Sequence, residues 1–68
     1  MRWYLCTPED HTYYGGMIYC RRENIHQWST DMARAQFYPT YHQATLARIA
    51  LERAYADIGF YTVDICAV

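Results

Sequence analysis

The sequence predicts an α+β domain: an antiparallel sheet of three or four strands with one long helix packed on a face. Three observations lead there. Residues 40–59 carry a full set of helix start, period and stop signals, short strand-like segments lie on both sides of them, and 68 residues leave room for one domain only, spanning 1–68.

The helix is the best-defined element. Thr40 followed by Gln43 forms a capping box that satisfies otherwise unpaired backbone N–H groups, and Pro39 blocks extension upstream. Gly59 stands where a left-handed C′ residue is wanted, with Phe60 placed to fold back onto Tyr55. Ala44, Ala47, Leu51, Ala54, Tyr55 and Ile58 fall within an arc of about 100°, the width of a core-facing stripe. Leu46, Ile49 and Ala50 lie on the opposite side, beside His42, Arg53 and Asp57. Two branched residues a turn apart on that side mark either incidental exposure or a covered surface, and the expected cover is a second copy docking on Leu46, Ile49, Ala50 and Arg53.

Taken in order, residues 2–7 read as a strand with Trp3, Leu5 and Thr7 on one face and Arg2, Tyr4 and Cys6 on the other. Residues 8–16 form a connection ending in Gly15-Gly16, and residues 17–22 return as the second strand of a hairpin. That connection, with His11, Tyr13 and Tyr14, is either a binding loop or the extended tips of both strands. Residues 23–26 are polar, Ser29-Thr30-Asp31 caps a short helical turn through Met32, Ala33 and Arg34, and residues 36–38 before Pro39 read as a short third strand. After Gly59, alternation of Tyr61, Val63, Ile65 and Ala67 with polar neighbours gives a final strand, inside the sheet or paired with a partner chain.

With 53% hydrophobic and 19% charged residues the chain is neither disordered nor membrane-spanning, since no apolar run approaches the roughly 18 residues a span needs. A domain this small buries only about 60% of the surface its unfolded chain exposes, so oligomerisation is the simplest added stabilisation. The N-terminus has no signal-peptide pattern, which makes a cytoplasmic residence the expectation. Cys6, Cys20 and Cys66 are then expected as free, packed thiols. If residues 2–7 pair with 17–22, Cys6 approaches Cys20, and an oxidising setting would let the two bridge.

All six basic residues are arginine, against seven acids, for a net charge of −1. The absence of lysine reflects either a GC-rich genome choosing arginine codons or a need for planar, bidentate donors to phosphate or carboxylate, and the charge balance is poor for general nucleic-acid coating. His11, His26 and His42 have no metal-site spacing with the cysteines, Gly15-Gly16 lacks the lysine of a phosphate loop, and Asp10-His11 is an adjacency rather than a catalytic pair. Neither enzyme activity nor a metal or other cofactor is expected. The strongest polar-aromatic grouping is Arg21 and Arg22 with Tyr13, Tyr14, Tyr19 and Trp28. It reads as a nucleotide or single-strand platform, as a protein interface rich in the residue types of interaction hot spots, or as a solvated hairpin edge.

An N-terminal Trp3-Tyr4 strand, a hairpin, the stretch from Trp28 through Arg34 to Thr40, a helix carrying Ala44 and a closing Val63-Asp64-Ile65 strand together resemble small proteins of phage and prophage accessory regions. That group includes inhibitors of bacterial defence systems such as anti-CRISPR proteins. The resemblance implies a non-catalytic homodimer that blocks a host protein complex in the host cytoplasm. The alternative is a sponge-like module for a nucleotide or short nucleic acid.

Overall fold

The computed structural model describes residues 1–9, 11–56 and 62–68. Trp3–Thr7 forms strand β1, Thr12–Cys20 β2, Glu23–Ser29 β3 and Asp64–Ala67 β4, with helix α1 at Tyr41–Ala54 and a 3-10 turn at Met32–Arg34. The four strands make one antiparallel sheet in the order β3-β2-β1-β4. The α+β class is as the sequence predicts; the strand boundaries differ, for physical reasons that bear on the functional surface.

β1 alternates as read. Leu5 and Thr7 are buried on the helix side, while Tyr4 and Cys6 face the other way. Leu5, Tyr14, Ala44, Leu51 and Val63 make the fully buried core, and Trp3, Trp28, Tyr38, Ala47, Tyr55 and Ile65 pack around it. Ala44 and Ala47 present small side chains to the sheet, and Leu51 fills the space beside them. The stripe is narrower than expected, because Ala54 is exposed.

The connection at 8–16 resolves into strand. β2 begins at Thr12, opposite Thr7, and runs nine residues, so the extended-tips reading holds over most of it. Gly15-Gly16 is not a loop but a register shift inside β2, at which a bulge is accommodated. Gly16 has φ +101, and a Cβ there would stand 2.6 Å from the Gln36 Oε1 atom. The hairpin reverses instead at Arg21 and Arg22, with φ of 51 and 66, the left-handed pair that a two-residue primed turn requires. The chain from Glu23, read as polar connection, therefore returns as β3, pairing Cys20 with Glu23 and Tyr14 with Trp28.

The expected third strand at 36–38 is reduced to a single bridge. Trp3 and Tyr38 exchange backbone hydrogen bonds at 2.9 and 2.7 Å, and the Gln36 N–H donates to the Tyr14 carbonyl at 2.8 Å. Val68 donates to Arg2 on the β4 side of β1, and successive residues of a strand turn to opposite edges, so Tyr38 occupies the edge that β2 holds further along. Residues 36–38 thus close the fork where β2 diverges from β1.

The Thr40 half of the predicted capping box is present, its hydroxyl accepting from the Gln43 N–H at 3.1 Å, while the Gln43 side chain makes no return hydrogen bond among the described residues. The helix ends at Ala54, earlier than Gly59; the expected closure by Gly59 and Phe60 lies outside the described residues, as do Asp57, Ile58 and the start of the final strand at Tyr61. Among the described residues β4 is an edge strand paired with β1 alone, not an interior one. On the face away from the helix, Tyr4 packs edge-on against Tyr13 and Phe37 at centroid distances of 5.7 and 6.1 Å, and the Arg2 guanidinium lies 4.4 Å over Phe37. Cys6 does not approach Cys20. β2 starts beside the end of β1, which puts Tyr13 opposite Cys6 and carries Cys20 to the far, exposed end of the hairpin.

Candidate docking surface

The β2–β3 hairpin outruns the core. Its inner half supplies Tyr14 and Trp28, whose rings meet at 5.2 Å, while in its outer half Met17, Ile18, Tyr19 and Ile25 are all exposed. Ile18 pairs directly with Ile25 and Met17 with His26, so apolar side chains lie on both faces of a ribbon with little beneath it. The two arginines at its tip sit in a backbone conformation that costs an L-residue roughly 1–2 kcal/mol each, which Asn-Gly would adopt with far less strain.

A groove of about 350 Å³ runs between this ribbon and α1, lined by Tyr14, Met17, His26, Gln36, Tyr38, Ala47, Ala50 and Leu51. Its opening follows from the small side chains of Ala47 and Ala50, which leave space where larger residues would reach the ribbon. Beneath it lies an aromatic cluster. Tyr14 Oη and His26 Nδ1 are hydrogen-bonded at 2.9 Å, the Trp28 indole N–H donates to Tyr55 Oη at 3.1 Å, and the His26 ring stands 5.5 Å from that of Tyr55. Burial pushes the Tyr14 phenol up to about 12, with smaller contributions from the nearby Tyr38 and Tyr55 hydroxyls, and burial also raises Tyr38. In neutral solution Tyr14 and Tyr38 therefore stay protonated, as hydrogen-bonding groups rather than bases.

The outer strip of α1 adjoins the groove. Ala50 lines the groove and stands one turn from Leu46, so Leu46 and Ile49 extend the apolar surface around the helix to Arg53. Met17 joins the ribbon to the groove and Ala50 joins the groove to this strip.

The sequence-predicted platform is not assembled as a unit. Arg21, Arg22 and Tyr19 share the exposed tip, whereas Tyr14 and Trp28 are packed around the core and Tyr13 lies on the opposite face against Tyr4. Leu46, Ile49, Ala50 and Arg53 are all exposed on one side of α1. Sequence reading missed Met17, His26, Gln36 and Tyr38 as groove residues; the alternation of Asn24, His26 and Trp28 was the available signal for β3, but for the bulge at Gly15-Gly16 there was none beyond the glycines themselves. Among the described residues no three of His, Cys, Asp and Glu come together as a metal-ligand set, and no helix is long and apolar enough to cross a membrane.

Fold and surface define a four-stranded antiparallel α+β protein with an apolar groove between its helix and a projecting hairpin. No family model, curated protein or solved structure matches the chain.

Proposed function

We propose that this chain is a small binding protein of the phage accessory kind, which acts without catalysis, as a homodimer, by covering a surface on a host defence complex. The observation that carries the reading is the apolar surface left exposed: Met17, Tyr19 and the groove, offered to a host partner, and Leu46 and Ile49, offered to a second copy. A 68-residue domain gains nothing in its own stability from exposing these side chains, and aromatic, methionine and arginine residues of this kind are enriched where proteins meet. The hairpin tip adds Arg21 and Arg22, whose forked donors suit carboxylates on a protein surface. The nucleotide-binding alternative keeps those arginines but retains only Tyr19 beside them for base stacking, because Tyr14 and Trp28 are committed to the interior.

The test is phage plating on bacterial strains that each carry one active defence system. Expression of the chain is expected to restore plating against one system, and Met17→Asp with Tyr19→Asp, confirmed folded by circular dichroism, is expected to abolish the effect. Stable expression that relieves no system, or a double variant as active as its parent, refutes the proposal. Heat released by cyclic nucleotides or oligonucleotides in calorimetry would move the assignment to the alternative.

A further inference from the structure

Cys6 lies on β1 and Cys66 on β4, at opposite ends of the chain. In the register of these strands Cys6 stands opposite Asp64 and Tyr4 opposite Cys66, which puts both sulfurs on the face away from α1. The two Sγ atoms are 3.1 Å apart. A disulfide bond is about 2.05 Å long, so closing it asks for an approach of only about 1 Å. Both cysteines are half-buried, and the pair is bordered by Tyr4. Among the described residues β4 is a four-residue edge strand with a partner on one side only, the element whose attachment a covalent link would change most.

We propose that Cys6 and Cys66 form a dithiol–disulfide couple, a modification site for low-molecular-weight disulfides of the glutathione class, whose oxidised form staples β4 to β1. A thiolate of the pair attacks the small disulfide, breaking its S–S bond and releasing one small thiol as a mixed disulfide forms on the protein. The neighbouring protein sulfur then attacks that mixed disulfide, the Cys6–Cys66 bond forms and a second small thiol leaves. Two protons and two electrons pass from the cysteines to the oxidant, which departs as two thiols. Burial first, then the hydrogen bond to Cys66, holds the Cys6 thiol up at about 12, so Cys6 is almost wholly protonated in neutral solution and its thiolate share grows as pH rises. Cys20 is exposed at the far end of the hairpin and takes no part.

The experiment uses the full chain with Cys20→Ser, which removes the competing exposed thiol, incubated in oxidised glutathione. A mass loss of roughly 2 Da, a Cys6–Cys66 cross-linked peptide after proteolysis, and a thermal midpoint raised by at least about 10 °C and reversed by dithiothreitol are expected, because the bridge closes a loop of nearly the whole chain. Cys66→Ala in the same background is expected to show none of these changes. Two thiols still titratable after oxidation, a stable glutathione adduct in place of the bridge, or a bridged chain whose midpoint is unchanged or lower each overturn the proposal. In the unmodified chain the peptide map separates this bridge from one through Cys20, whose appearance as the dominant product would also overturn it.

Discussion

Tyr14 ties the core to the candidate surface: its ring packs on Trp28, its hydroxyl meets His26, and its carbonyl accepts from Gln36. Burial raises its folded-state value to about 12 from an ordinary 10.0. The unfolded chain therefore loses this proton first. The stability Tyr14 contributes is fully present below pH 10 and is lost as pH rises through about 12, a trend to which Cys6 adds from pH 9 upward. Thermal midpoints measured across alkaline pH are expected to fall in that window, and Tyr14→Phe to make the fall shallower. An identical slope in the variant would show that Tyr14 does not titrate as its burial requires.

At the scale of the element, the β2–β3 hairpin sets local preference against architecture. Its reversal places Arg21 and Arg22 at positive φ, although Asn-Gly is the sequence that fits such a turn. Replacing them together, Arg21→Asn with Arg22→Gly, is expected to stabilise the fold by about 1–2 kcal/mol in urea unfolding, by relieving two left-handed residues. The same change is expected to weaken the proposed defence-blocking activity, since the forked donors are gone. Stability and activity moving together would mean the arginines serve the turn and not a partner. The hairpin also shows why sequence reading erred here: Gly15-Gly16 is the strongest turn signal in the region, yet tertiary packing uses it for a close approach. Gly16 carries no Cβ because Gln36 lies against it, and that proximity depends on residues twenty positions away in the chain.

For the whole molecule, the limiting quantity is core size. Leu5 and Leu51 are the two large side chains buried almost completely among the described residues, so truncating either, at roughly 2–5 kcal/mol, approaches the full stability expected of so small a domain. Covering Leu46 and Ile49 in a dimer would add to this. Leu46→Glu with Ile49→Glu is expected to halve the solution mass measured by light scattering while leaving the circular dichroism spectrum unchanged. A parent chain that is already monomeric refutes the homodimer, whereas a folded variant of undiminished mass removes α1 as the dimer contact and leaves the open edge of β3 or β4.

Much of the fold was legible where the signal is local. The cap at Thr40, the alternation of β1, the 3-10 turn after Asp31 and the outer strip of α1 each depend on residues within a turn or two of one another, and each appears where the sequence places it, while the core-facing stripe excludes Ala54. Arg21, Arg22 and Tyr19 were legible as a tip, but their separation from Tyr14 and Trp28 was not. By itself the sequence determined the α+β class, the helix start and the presence of an apolar strip outside the core. Only the tertiary structure decided that Glu23–Ser29 is a strand, that residues 36–38 close a fork, and that Cys6 meets Cys66 rather than Cys20. Helix caps and side-chain periods are written by neighbours in sequence, whereas strand register is set by pairing between distant segments, and a one-residue bulge reassigns every partner beyond it.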